Sequence, residues 1–370
     1  MSLLRVAAVL SLACMLMTAI PAQESVPADP PGTRADGDRT VTLELLTATW
    51  CAGCPYADAV ADRLLRVIGP ERLSVIQYHV TMTDPMRINE SDARRHTYGD
   101  PGLPSLFLDG EFKSDEATSY EETFDRYLTF VQESLQVDTP VSMGLTYDLG
   151  GGSVTLNTSM DSSESLVGQN LFLRVVLFEN ILEDGGKIYN YTARAYNETS
   201  VDLVSSPTIE SVTFALDGSW VVENMGAAAF LQVDSDGGIY QSVNVMFGDP
   251  PVVTITSPSG GSVSGDLTVE GSCTGGRTLS EVFLKTDDGL WVEVEGTTTW
   301  QHDIDTTTLS DGSHTIYAKV YDVAGTYSQT DVLSITVENE EPVPGFETAL
   351  LLVAFLSVAV ILGGIRRLKK

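Results

Sequence analysis

From Asp138-Thr139-Pro140 to about Glu338, apolar and polar side chains alternate in short runs with no long helical pattern. Examples are "SVTLNTSM" (153–160), "LFLRVVLFEN" (171–180), "SVTFALDGSWVV" (211–222) and "DVLSITVEN" (331–339). A period of two places successive side chains on opposite faces, which is the pattern of a strand with one face buried. Gly, Asp and Asn separate the runs and supply the turns. Such a stretch folds by packing sheet on sheet, so we expect β-sandwiches. Gly248-Asp249-Pro250-Pro251 divides it, giving one sandwich domain over 138–248 and a second over 249–338.

The preceding hundred residues read differently. "TVTLELLTATW" (40–50) is a strand pattern, and the helix after it carries Val60, Leu64, Val67 and Ile68 on one face before Gly69-Pro70 stops it. "RLSVIQYHV" (72–80) is a buried strand, a polar helix covers 89–98, and "LPSLFLDGEF" (103–112) turns at Asp109-Gly110. Ser119 and Glu122 form a capping box for a helix bearing Phe124, Leu128, Val131 and Leu135. The order β-α-β-α-β-β-α implies a compact α/β domain over 38–137.

The ends carry targeting signals. Residues 1–22 read as a signal peptide, with Arg5 followed by an apolar run and Pro21-Ala22, and 23–37 is a proline-rich linker. After a linker over 339–348, residues 349–365 form an uncharged span long enough for a thin bilayer crossing. The basic tail 366–370 places the C-terminus in the cytoplasm and everything between signal and span outside. We therefore expect a protein on the extracellular face of the membrane. A net charge of −30 leaves no basic surface for nucleic acid. Asn89, Asn157, Asn190 and Asn197 are candidate glycosylation sites.

The chemistry concentrates in "TATWCAGCPYADAV" (47–60). A disulfide between Cys51 and Cys54 encloses almost no chain, so it adds little as a structural staple. The pair falls where a strand ends and a helix begins, and Pro55 fits only in that helix's first turn. There the backbone N–H groups favour a thiolate, the species that attacks disulfides. Fifty residues on, Pro104 heads a strand in an apolar hairpin, a place where proline is tolerated at a first residue or in a cis turn. A metal site is the alternative, but His79 and His96 are the only histidines in this region and their spacing demands no metal.

This arrangement over 38–137 resembles the thioredoxin superfamily, in which Trp-Cys-x-x-Cys faces a cis-proline. The resemblance implies that Cys51 attacks, Cys54 resolves, Trp50 flanks and Pro104 is the cis-proline. It departs from thioredoxin in carrying Leu45 where that family has a buried acid, with Glu44 facing the opposite side, and in having Ala52-Gly53 between the cysteines. The segment ending "DGSHTIYAKVYDVAG" (311–325) resembles bacterial and archaeal immunoglobulin-like modules. Pro344-Gly345-Phe346 before the apolar span resembles the archaeal PGF-type sorting tail, which implies processing by an archaeosortase-like enzyme and a lipid anchor.

The resulting expectation is a multidomain chain: an α/β thioredoxin-like domain, two all-β sandwich (immunoglobulin-like) domains and a C-terminal transmembrane segment. The function expected is thiol–disulfide oxidoreductase work on exported proteins, without a cofactor, and with a membrane electron donor or acceptor as a further partner. The alternatives are a non-catalytic adhesion or scaffold protein with a degenerate thioredoxin-like domain, and a metal-binding thioredoxin-like protein.

Overall fold

Val41–Thr47 (β1) is buried along its whole length and runs into helix Cys54–Ile68 (α1). Pro55 sits in the first turn of α1, where its missing N–H breaks no bond. Ala57, Val60, Ala61, Leu64 and Ile68 bury one stripe of the helix. Gly69 ends it at φ +96, and a Cβ there would collide with the Glu71 carboxylate. Next come Leu73–His79 (β2), Asn89–Thr97 (α2), Ser105–Leu108 (β3), Glu111–Ser114 (β4) and Tyr120–Ser134 (α3). Ser119 Oγ caps α3 by accepting from the Glu122 N–H. The computed structural model describes residues 39–203, 207–234 and 237–339.

The chain continues through Val141–Gly150 (β5), Ser153–Ser162 (β6), Leu171–Glu179 (β7), Leu182–Asp184 (β8), Lys187–Tyr189 (β9) and Thr192–Val201 (β10). Thr208–Ala215 (β11), Met225–Val233 (β12) and Ile239–Met246 (β13) complete the middle segment. These strands are not set apart from the helical segment. One eight-stranded sheet runs β13-β12-β7-β10-β2-β1-β3-β4, with a second sheet, β11-β6-β5, packed against part of it. The junction is parallel: Thr192 lies opposite Gln77, and the Gln77 N–H donates to Tyr191 O at 2.8 Å.

The apolar run of β7 explains this continuity. Val175 and Leu177, with Ala227 and Ala229 of β12, face Met143, Leu145 and Leu156 of the smaller sheet. The alternate residues Val176, Phe178, Ala228 and Phe230 share a core with Leu43, Leu64, Ile76 and Tyr127 of the helical segment. A strand apolar on both faces is stable only when covered on both faces. Glu44 adds a polar tie: its carboxylate takes Arg94 Nε and Nη2, each at 2.7 Å, and Arg94 Nη2 also reaches Gln232 Oε1 of β12 at 2.9 Å.

The last segment comprises Val252–Ser257 (β14), Gly261–Val263 (β15), Asp266–Thr274 (β16), Leu279–Thr286 (β17), Val292–Gly296 (β18), Thr299–Asp305 (β19), Gly312–Asp322 (β20) and Asp331–Val337 (β21). β18 pairs with β17 at Val294 and with β19 at Glu295, so it passes from one layer of a sandwich to the other. Val269, Val282, Trp300, Ile316 and Ile335 fill its centre, with Cys273 buried among them and its thiol pushed up to about 11 by burial. The sandwich grips the end of α1. Trp291 N–H donates to Val67 O at 2.9 Å, Arg66 meets Glu281 at 2.7 Å, Arg63 meets Glu293 at 3.0 Å, and Lys319 pairs with Glu71.

Two expectations are corrected. The fold class is predominantly β: the described residues hold twenty-one strands and three α-helices, and these helices lie on a sheet and core shared with the middle strands. A self-contained thioredoxin-like α/β domain followed by independent sandwiches is therefore not what forms. Among the described residues no helix is long and apolar enough to cross a membrane. The expected transmembrane keyword and membrane-anchored surface location therefore find no support among the described residues. The 1–22 signal, Pro344-Gly345-Phe346, the 349–365 span and the basic tail lie outside the described residues.

The buried pair sets a stability test. Glu44→Ala strands Arg94 in the interior and is expected to cost about 3–5 kcal/mol in urea unfolding. Glu293→Ala, which breaks a pair with a half-exposed carboxylate, is expected to cost less than about 1 kcal/mol.

Candidate functional site

β1 delivers the chain at the sheet's end, and a turn closed by Cys51 N–H to Ala48 O at 3.1 Å carries it into α1. Cys51 and Cys54 are joined as a disulfide with their Cα atoms 5.4 Å apart. Cys51 is 8 % exposed and Cys54 0 %, and the Cys54 N–H points at Cys51 Sγ at 3.2 Å. That N–H belongs to the first turn of the helix, whose free amide groups favour negative charge on the Cys51 sulfur when the bond is reduced.

Pro104 is buried, follows a cis peptide bond from Leu103, and stands beside the cystine. A Cβ placed on Gly53 would lie 3.6 Å from Pro104 Cδ and 3.3 Å from Ala117 O, so glycine permits this close approach. Leu103 and Ala48 complete the apolar wall around the sulfurs. Trp50 is 57 % exposed, and its indole N–H donates to Thr81 Oγ1 at 3.2 Å. Thr81 has φ +82, a strained conformation for a β-branched residue, and Asp92 Oδ1 holds its N–H at 2.8 Å. Met82 beside it is 82 % exposed.

A polar cluster lies at the ends of β1 and β2. Asp84 accepts from the Thr49 and Met86 N–H groups at 2.7 and 2.9 Å, and its Oδ2 is 3.2 Å from His79 Nδ1. Burial raises its carboxyl, but the hydrogen bonds of His79 and Thr49 outweigh that and hold it below the usual carboxylate range. Asp58, one turn after Cys54, accepts from Thr47 Oγ1 at 2.6 Å, while its Oδ2 is sealed from solvent without a hydrogen-bond partner among the described residues. Burial pushes its carboxyl up to about 6, with the Thr47 bond only partly offsetting it.

The cysteines, Trp50 and Pro104 are thus brought together. Asp58 was missed by sequence reasoning, although its spacing of four from Cys54 puts it on the same side of the helix. No local signal marked Asp84 or Thr81. His79 serves the Asp84 pair and packs edge-on against Tyr189, and His96 pairs with Asp100 at the surface. Among the described residues no group of three or more His, Cys, Asp or Glu could hold a metal ion. Asn89 is exposed at the start of α2, and Asn157 and Asn197 are half-buried on strands. Asn190 is engaged on both sides, accepting from the Ile181 N–H at 3.0 Å and donating to Asp62 at 3.1 Å.

Comparison with known proteins bears on the third segment. The family described as "Bacterial Ig domain" matches residues 251–318. No curated protein matches the chain. Among solved structures it is similar to HBP35 of Porphyromonas gingivalis, at 13 % identity over 82 % of this chain and 100 % of that one, with a TM-score of 0.49. A protein of Agrobacterium tumefaciens is 19 % identical over 58 % of this chain and 97 % of its own, with a TM-score of 0.42. Fibronectin(III)-like modules of Clostridium thermocellum CbhA are 18 % identical over 24 % of this chain and 100 % of their own, with a TM-score of 0.22. None of these three likenesses carries a functional argument. Residues 251–318 are an Ig-like module, and the chain is a β-sandwich protein bearing it. The expected oxidoreductase keywords find no support here: the family match supports an Ig-like β protein and reaches neither the cysteine segment nor the tail.

Two measurements probe the site. Closing so short a loop restricts the unfolded chain by about 2 kcal/mol, so the Cys51→Ser/Cys54→Ser variant is expected to lose no more than that in urea unfolding. The raised Asp58 value means the folded chain holds this proton more tightly than the unfolded chain does. Its contribution is therefore full below about pH 4 and lost as pH rises through about 6. Asp58→Asn is expected to gain stability relative to the parent between about pH 4.5 and about pH 7, read from urea midpoints.

Proposed function

We propose that this chain is a non-catalytic adhesion or scaffold protein whose β modules hold binding surfaces in a fixed arrangement. The observation that carries the reading is the seating of the Ig-like module on α1. Trp291, Glu281, Glu293 and Lys319 fasten it through backbone, ion-pair and ring contacts, with Arg63 over Phe283 and Arg66 over Tyr321. Asn180 adds a bond to Ala324 O at 2.7 Å from the middle segment. A module held by three neighbouring elements presents its outer strands without hinge motion, which lowers the entropic cost of engaging a partner. Partners in this reading are other macromolecules, with the large negative charge disfavouring nucleic acid.

The geometry around Cys51 favours a second, narrower reading, in which the pair exchanges with thiols or disulfides of partner proteins. Reduced Cys51, as thiolate, attacks a partner disulfide to form a mixed disulfide and releases the partner's other sulfur as a thiolate. Cys54, as thiolate, then attacks Cys51 Sγ, which restores the observed Cys51–Cys54 bond and frees the second partner thiol. The reverse sequence oxidises a partner dithiol. The low exposure of Cys51 beside the exposed Trp50 and the buried Pro104 supports attack from one side only.

One experiment separates the two. Immobilised protein is tested for retention of cells or envelope fragments, and Cys51→Ser/Cys54→Ser is expected to retain them as well as the parent does. Loss of retention in that variant, together with mixed disulfides trapped on Cys51 by Cys54→Ser, would replace the scaffold reading with the exchange reading.

A further inference from the structure

We propose that the outer edge of β11 is a self-association edge, pairing antiparallel with β11 of a second copy of this chain. β11 closes the three-stranded sheet, and β6 pairs it from Thr208↔Met160 to Ala215↔Ser153. On its other side no strand, backbone group or side chain among the described residues bonds to its backbone. An eight-residue edge of unpaired N–H and C=O groups is a template for another strand. Among the described residues several other sheet ends are shorter or engaged: β5, at the far end of the same sheet, gives its Val141 carbonyl to Gln241 Nε2 and its Tyr147 hydroxyl to Phe247 O. β15 has three residues, and β4 has four and carries Glu111 and Lys113. The Ile255 N–H of β14 is held by Asp331, and the Gln241, Ser242 and Asn244 side chains of β13 are engaged with Thr40 and Ser74.

Charge and shape select the occupant. Two bodies of net charge −30 repel, so they meet at least cost across a strip that carries little charge of its own. The exposed row of β11 is Ile209, Ser211, Thr213 and Ala215, and Glu210 is the strand's one charge. A two-fold axis at Val212 sets Ile209 opposite Ala215 of the second copy, Ser211 opposite Thr213 and Glu210 opposite Phe214. A large apolar group then faces a small one, hydroxyl faces hydroxyl, and no like charges oppose. Ile209, 67 % exposed in the single chain, is covered by this pairing. The inference goes beyond the scaffold reading and does not depend on it.

Sedimentation velocity of the full chain over a concentration series is the test, combined with hydrogen exchange of the 208–215 amides. The expected result is a monomer–dimer equilibrium that tightens as salt is raised, because screening removes the repulsion between the two bodies. The β11 amides are expected to exchange more slowly at high protein concentration. Ser211→Lys/Thr213→Lys changes two exposed residues, sets lysine opposite lysine across the junction, and is expected to weaken association at least about tenfold. A monomer at every concentration overturns the proposal. So does a dimer that survives the double substitution and leaves β11 exchange unchanged, since its contact lies elsewhere.

Discussion

The burial of both faces of β7 and β12 is the constraint on which the rest of this structure depends. Each strand gives alternate residues to two cores, one beneath the helices and one within the middle sandwich. Neither core is complete without them, so the helical and middle segments cannot separate without exposing Val176, Phe178, Ala228 and Phe230 to water. The parallel contact between β2 and β10 is short, with Thr192 opposite Gln77. It persists because the apolar surface on either side holds the strands together.

Helix α1 links this shared body to both the cystine and the Ig-like module. Its first turn carries Cys54 and Pro55, its buried stripe lies on the sheet, and its last turns offer Arg63, Arg66 and the Val67 carbonyl to the third segment. One rigid element thus fixes the position of the cysteine pair relative to a module far along the chain. The acidic composition also takes on a physical meaning here. Arg39, Arg63, Arg66, Arg87, Arg94, Arg126, Arg174, Arg194 and Arg277 each pair with a carboxylate of this chain, so much of its limited positive charge is matched within the fold and the excess carboxylates leave it negative.

Much of the local structure was legible in the sequence. The run of Val60, Leu64 and Ile68, the cap at Ser119 and the Asp109-Gly110 turn each reflect interactions between near neighbours, which a linear reading captures. Glu44 was read as facing away from Leu45, and it does reach Arg94 rather than the core that Leu45 joins. Of the site, the two cysteines stood out by their spacing and placement, while Trp50 and Pro104 were named through the resemblance their motif carries. Asp84 could not, because its importance comes from two backbone N–H groups and a histidine that a loop brings to it.

The sequence by itself determined that strands dominate after residue 138, where each period-two run needs only its own alternation to declare a strand. It also placed the cysteine pair at a helix start, since the apolar spacing of Val60, Leu64 and Ile68 calls for a helix and Pro55 is compatible with one only in its first turn. The tertiary structure alone decided which strands become neighbours. Continuous apolar runs such as β7 show that both faces are buried but do not say against what. That choice depends on surfaces contributed by residues far apart in the chain. For this reason the expected independent α/β domain became part of one continuous, predominantly β body.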